Sequence, residues 1–240
     1  MAQALKRIWN PPNPYLTEHR ELLGEPPPAA LEVYEDQSRS ILSRNESPDI
    51  GFRWSVNPYR GCFHACAYCF ARPTHEYLGL GAGTDFERKI FVKRRAPALL
   101  AATFRRPSWH GELLMFSGVT DCYQPLEAAW QLTRGCLSVC LAFRNPVALI
   151  TKSLLIQRDL DLLIGLVREA HASVAVSIPF LDEETARVME PGAPTIRRRF
   201  ETMQRLADAG IPVGIGVAPV IPGLNDPDLP GLLQEAARCG

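Results

Sequence analysis

From Gly51 onward the chain repeats one pattern. A short, almost continuous apolar run is followed by a longer stretch whose apolar residues recur at helical spacing. The short runs are FRWSV (52–56), ELLMFSG (112–118), PVALITKS (146–153), SVAVSIPF (173–180) and PVGIGVAP (212–219). Between the last four lie LEAAWQLTRGCLSVCLAF (126–143), RDLDLLIGLVREA (158–170) and, after a Pro-interrupted turn, TIRRRFETMQRLADAG (195–210). Strands that are apolar on both faces, alternating with amphipathic helices, predict a parallel sheet covered by helices. Gly210 stands where a helix should be capped, and Pro212 marks the return to a strand. ERKIFVK (87–93) is a candidate extra strand.

Residues 1–50 break this pattern. NPPNP, GEPPPAA and SRNESPD are rich in proline and polar residues, and they predict an irregular N-terminal arm in front of a core spanning 51–240. At the other end, DPDLPGLLQEAARCG (226–240) reads as a helix closing with a cap glycine. A sixth strand should follow. The expectation is a β/α series that stops after its fifth strand and helix, as a fragment of a longer reading frame, because an uncovered parallel edge is a liability.

Composition narrows the class. With 240 residues, 46 % of them apolar, and a net charge of zero, the chain can build a packed core. It cannot coat nucleic acid by bulk charge, although local basic patches such as Arg197–Arg199 remain candidates for a phosphate contact beside their ordinary reading as a solvated helix face. The start, MAQALKRIWNPPNPY, lacks an apolar h-region, and no apolar run reaches membrane-spanning length. The compartment expected is the cytoplasm, with no membrane partner and with thiols kept reduced.

Against that background the cysteines stand out. Three of the seven, Cys62, Cys66 and Cys69, fall within NPYRGCFHACAYCF (57–70), spaced C-x3-C-x2-C. A zinc site needs four protein ligands, and no second C-x2-C pair exists; His64 or His75 would have to complete it. An iron–sulfur cluster normally takes four thiolates, so three would leave one iron open to an outside molecule. The loop follows FRWSV, placing it at the carboxyl end of the sheet, where β/α folds assemble their sites. Cys136 and Cys140, four apart in a helical pattern with Leu137 and Leu141, read as core packing. A non-catalytic zinc or cluster module and an electron carrier are the rival readings.

C-x3-C-x-aromatic-C after the first strand of a β/α series resembles the signature of the radical S-adenosylmethionine (SAM) enzymes. SPDIGFRWSVNPYRGCFHACAYCFARPTHEYLG, VTDCYQPLE, ITKSLLIQRDLDLL and VGIGVAPVIPGLND are similar to a bacterial group related to spore photoproduct lyase, over about residues 38–228. The resemblance implies a partial (β/α)6 TIM-like barrel and a 4Fe–4S cluster on Cys62, Cys66 and Cys69. It also implies a reductant such as flavodoxin or ferredoxin, and reductive cleavage of SAM to a 5′-deoxyadenosyl radical that abstracts hydrogen from a substrate. The residues do not identify that substrate; nucleic acid is one candidate class.

The same resemblance implies cofactor contacts. Tyr68 would lie beside the adenine. Gly118, Thr120 and Asp121, in SGVTDCYQP, would meet the SAM amino group; otherwise they form a turn and helix cap. Lys152 would pair with the SAM carboxylate and Ser177 would meet the ribose, with Arg187 a weaker carboxylate candidate. Two positions depart from the lyase. Phe70 stands where the lyase has a tyrosine, and Gly118 where it has a hydrogen-donating cysteine. The nearest thiol here is Cys122.

Overall fold

The computed structural model describes residues 30–240. Its main sheet has six strands in the order β2 (Leu42–Arg44), β3 (Trp54–Val56), β6 (Leu114–Phe116), β7 (Val147–Thr151), β8 (Ala172–Ser177) and β9 (Val213–Gly216). β3 and β6 to β9 run parallel, and these are the five apolar runs read from the sequence. In β7 and β8 alternate residues are fully buried: Val147, Leu149, Val174 and Val176 face the helices. Each side chain of that size removed from water stabilises the fold by about 1.5–3 kcal/mol.

A second, three-stranded sheet has the order β1 (Glu32–Glu35), β5 (Lys89–Val92), β4 (Tyr59–Arg60). It takes up Lys89–Val92 of the ERKIFVK run, while Glu87 and Arg88 end the helix Thr84–Arg88, so the run gives a strand outside the main sheet. It also corrects the expected irregular arm. Residues 1–29 lie outside the described residues, but 30–50 carry two strands. β1 pairs with β5, and β2 covers the β3 edge in antiparallel register while Ile41 enters the core.

The helices follow the expected order with three adjustments. The stretch 126–143 splits into α3 (Glu127–Trp130) and α4 (Leu132–Ala142) at Gln131, which takes φ +50°. The cause is Glu127. Its buried carboxylate accepts the Thr133 and Arg134 amides at 2.9 and 3.2 Å, satisfying amides that open α4. α5 (Leu160–Glu169) is preceded by a 3-10 turn, Leu154–Asp159. Helices α1 (Thr84–Arg88), α2 (Ala96–Phe104) and α6 (Glu183–Met189) add to the pattern; α6 is capped by Asp182, which accepts the Thr185 amide at 2.7 Å. α7 (Ile196–Asp208) ends at Gly210, whose φ of +73° and bond to the Ala207 carbonyl match a glycine just past the cap. α8 (Leu229–Arg238) packs on β9 and α7. The architecture is an α/β partial TIM-like barrel, with the loops at the strands' carboxyl ends gathered on one side.

Candidate functional site

The cysteine loop leaves β4 at Gly61. Two turns fold it, with the Ala65 amide donating to the Cys62 carbonyl and the Cys69 amide to the Cys66 carbonyl, each at 3.3 Å. The Arg72 guanidinium staples it, donating to the carbonyls of Cys66 (2.9 Å), Ala65 (3.0 Å) and Gly83 (3.0 Å). The buried Gln124 side chain accepts the Phe63 amide at 3.1 Å and donates to the Gly61 carbonyl at 3.0 Å. These contacts satisfy backbone groups that an irregular loop would otherwise leave unpaired.

Cys62 and Cys66 are buried and Cys69 is half-buried. The other four cysteines lie elsewhere: Cys122, Cys136, Cys140 and Cys239 belong to the main core. Among the described residues, no three His, Cys, Asp or Glu side chains close around a single metal ion. Both histidines weighed as a fourth ligand are engaged. His64 Nδ1 lies 3.3 Å from Asp121, and His75 Nε2 lies 2.9 Å from the Lys89 carbonyl. Burial pushes the Cys66 thiol up to about 12 despite the opposing charge of Lys152. A thiolate there needs a strongly cationic partner. Three thiols on one hydrogen-bonded loop supply the donor set of a cluster with one open iron.

Facing this loop is a compact polar group that the sequence reading gave in part. Lys152, just past β7, donates from Nζ to the Ser177 hydroxyl at 2.9 Å and lies 5.7 Å over the Tyr68 ring. Tyr68 donates its hydroxyl to Glu190 Oε1, which also stands 3.6 Å from Lys152 Nζ. Arg199 approaches Glu190 Oε2 at 2.6 Å and donates to the Ser177 carbonyl at 3.1 Å. The fold thus brings Tyr68, Lys152 and Ser177 together, and adds Glu190 and Arg199. The helix-face reading of the arginine triplet is corrected at one residue. Arg197 and Arg198 are exposed, but Arg199 is 1 % exposed and ion-paired. Arg187 is exposed on α6.

Gly118, Thr120 and Asp121 form the neighbouring wall. A Cβ at Gly118 would come within 3.0 Å of the Ser55 side chain, so its smallness serves packing against β3. Thr120 is buried and donates to the Tyr59 carbonyl at 2.9 Å, while its amide and that of Val119 point to Asn57 Oδ1. The Asp121 carboxylate is fully engaged. It accepts the Tyr123 amide (2.8 Å), the Thr151 hydroxyl (2.7 Å) and the Lys152 amide (2.8 Å), and it pairs with His64. With all its acceptor positions used, Asp121 is placed to orient Lys152 rather than to receive an ammonium directly.

The family model of the radical SAM superfamily matches residues 56–236. This chain belongs to the radical SAM superfamily. The radical SAM chain is 41 % identical over 193 residues to uncharacterized proteins of Mycobacterium tuberculosis and Mycobacterium bovis, covering 80 % of itself and 57 % of each. It is 30 % identical over 198 residues to an uncharacterized protein of Acidianus two-tailed virus, covering 78 % of itself and 64 % of that protein. It therefore spans little more than half the length of the mycobacterial relatives. In fold it is similar to spore photoproduct lyase complexed with dinucleoside spore photoproduct, with a TM-score of 0.66 at 18 % identity over 86 % of this chain and 57 % of the other. A lyase variant with bound AdoMet superposes at a TM-score of 0.61, 19 % identity, 87 % of this chain and 57 % of that one.

Three residues of this group, Arg72, Gln124 and Glu190, escaped the sequence reading, and a fourth, Arg199, was read there only as a phosphate contact or a solvated helix face. For Arg199 a signal existed. It lies on the stripe Ile196, Arg199, Met203, Leu206, the buried face of α7. Gln124 and Glu190 act through contacts distant in sequence, Arg72 through backbone carbonyls of its own loop and of Gly83, and no local pattern marks them.

Proposed function

We propose that the chain is the core of a radical SAM enzyme. Cys62, Cys66 and Cys69 would hold a 4Fe–4S cluster. SAM would sit between that loop and the wall made by Gly118, Thr120, Lys152 and Ser177, with Tyr68 over one side. When bound, the cluster and SAM would supply radical chemistry for hydrogen abstraction, with the electron coming from a one-electron donor of the flavodoxin or ferredoxin kind.

One observation carries this reading. The three-thiol loop faces a buried group in which two cations, Lys152 and Arg199, surround one carboxylate, Glu190. That group has one positive charge in excess, which suits a single carboxylate such as that of SAM. Asp121 fixes the Lys152 backbone, and Ser177 orients its ammonium. Among the described residues no helix is long and apolar enough to cross a membrane; the cytoplasm, which keeps thiols reduced, is the compartment we propose.

The dinucleoside bound by spore photoproduct lyase makes nucleic acid the first substrate class to test. The lyase's own route is not the one we propose here. Phe70 has no phenolic hydrogen and is 79 % exposed, and the Cys122 thiol is fully buried in the main core.

The test is anaerobic reconstitution followed by iron analysis and equilibrium dialysis with labelled SAM. A brown protein with about four irons, broad absorbance near ~400 nm and one bound SAM supports the reading. A colourless protein with one zinc overturns it in favour of a structural metal module.

A further inference from the structure

The segment between α6 and α7 touches both halves of the site at once. The Ala67 amide donates to the Met189 carbonyl at 2.8 Å, and the Gly192 amide donates to the His64 carbonyl at 3.0 Å. This backbone tie joins the connection after β8 to the cysteine loop after β4. It requires a glycine, because a Cβ at Gly192 would stand 2.2 Å from the Phe63 carbonyl oxygen. Between the two tied positions lies Glu190. It is 1 % exposed, with one carboxylate oxygen shared by the Tyr68 hydroxyl and the Lys152 ammonium and the other against Arg199.

Arg199 explains why Glu190 can be there. A buried carboxylate is costly unless paired, and the guanidinium supplies the pairing while donating to the carbonyls of Pro194 (2.8 Å) and Ser177 (3.1 Å). Those bonds pin the Glu190 segment to the carboxyl end of β8. Glu190 Oε2 has no aligned hydrogen bond, so the contact with Arg199 acts chiefly through charge. The carboxylate is thus held in place by an ion pair on one oxygen, while its other oxygen orients two side chains that face the thiols.

We propose that Glu190, anchored by Arg199, is a positioning residue that sets Tyr68 and Lys152 against the cysteine loop for SAM. The proposal rests on the functional reading above. Tyr68 belongs to the loop that carries the cluster, and Lys152 to the strand end that would receive the cofactor's carboxylate. Glu190 is the side chain that contacts both, so it fixes the register between the two halves.

The experiment uses the reconstituted chain and the variants Glu190→Gln, Tyr68→Phe and the double variant. Iron content, the dissociation constant for SAM and the change that SAM makes in the electron paramagnetic resonance spectrum of the reduced cluster are measured together. Glu190→Gln is expected to keep its iron, to bind SAM about ten- to a hundredfold more weakly, and to show an altered spectral change at saturating SAM. Tyr68→Phe, which removes only the hydroxyl that reaches Glu190, should weaken binding in the same direction. The double variant should be no worse than Glu190→Gln, because both act through one contact. Unchanged affinity and spectrum, tighter binding, or fully additive effects would overturn the proposal. If Glu190→Gln does not fold, Tyr68→Phe alone decides. Iron lost in step with affinity in Tyr68→Phe would also overturn it, in favour of a purely structural contact. Wild-type chain that takes up no cluster or no SAM would instead defeat the functional reading itself.

Discussion

His64 and Asp121 form a buried ion pair, Nδ1 to Oδ2 at 3.3 Å, that ties the cysteine loop to the ends of β6 and β7. Burial alone would lower the imidazole, but the Asp121 charge and the neighbouring Cys62 raise it to about 10. Burial would likewise raise the Asp121 carboxyl. The His64 charge, reinforced by hydrogen bonds from His64, Lys152 and Thr151, brings it down to about 2.

The sign of the pH dependence follows. A depressed carboxyl stabilises the fold above its unfolded value near ~4 and loses that contribution as pH falls through about 2. A raised imidazole contributes below ~6.5 and loses its share as pH rises through about 10. Asp121→Asn is expected to cost about 3–5 kcal/mol at neutral pH, the cost of breaking a buried pair. The gap from wild type should shrink towards both extremes. Urea unfolding followed by circular dichroism across that range checks it, and a pH-independent difference would show that the pair is not ionised.

Replacing Cys62, Cys66 or Cys69 with Ala should reduce iron from about four per chain to near zero, since no spare thiol lies on the loop. Cys136→Ala and Cys140→Ala should keep the iron and cost about 1 kcal/mol each, as losses of small buried groups in the core. Iron analysis with thermal unfolding separates the two sets. Iron lost from either core variant would contradict the assignment.

Lys152→Ala should weaken SAM binding by about 1.5–3 kcal/mol, the size of a charged hydrogen bond, with iron unchanged. Equilibrium dialysis measures it. Undiminished affinity would mean that Lys152 serves only Ser177 and Glu190.

Arg198→Ala and Arg199→Ala differ by one position and should differ sharply in effect. Arg198 is exposed, and its loss should stay within about 0.5 kcal/mol. Loss of Arg199 strips the buried Glu190 carboxylate of its closest cation, leaving only Lys152 at 3.6 Å and the Tyr68 hydroxyl on its other oxygen, and should cost about 3–5 kcal/mol. Chemical denaturation of both variants decides. Equal stabilities would return Arg199 to the solvent.

What the sequence showed, and what it hid, divides along contact range. The five parallel strands were legible because each is a dense apolar run, and the thiol loop because its spacing is local. Tyr68, Lys152 and Ser177 were singled out by the resemblance and by their places beside the thiols or at strand ends. Their mutual contacts were not, since they depend on how β7, β8 and the loop after β4 converge. Asp121 was read either as an acceptor for an ammonium or as a turn and helix-cap residue, because nothing in SGVTDCYQP reveals the four partners that occupy it. The strand β1 was missed because all four of its residues are exposed and carry no apolar alternation. The split at Gln131 was missed because it is caused by a side chain, Glu127, folding back on a later turn.

The measurement that bears most directly on the whole account is SAM cleavage itself. The reconstituted chain, reduced under anaerobic conditions and given SAM without any substrate, should release 5′-deoxyadenosine and methionine. The product should vanish in each of Cys62→Ala, Cys66→Ala and Cys69→Ala. A chain shown to hold about four irons and to bind SAM, yet forming no 5′-deoxyadenosine on reduction, would contradict the proposed radical chemistry.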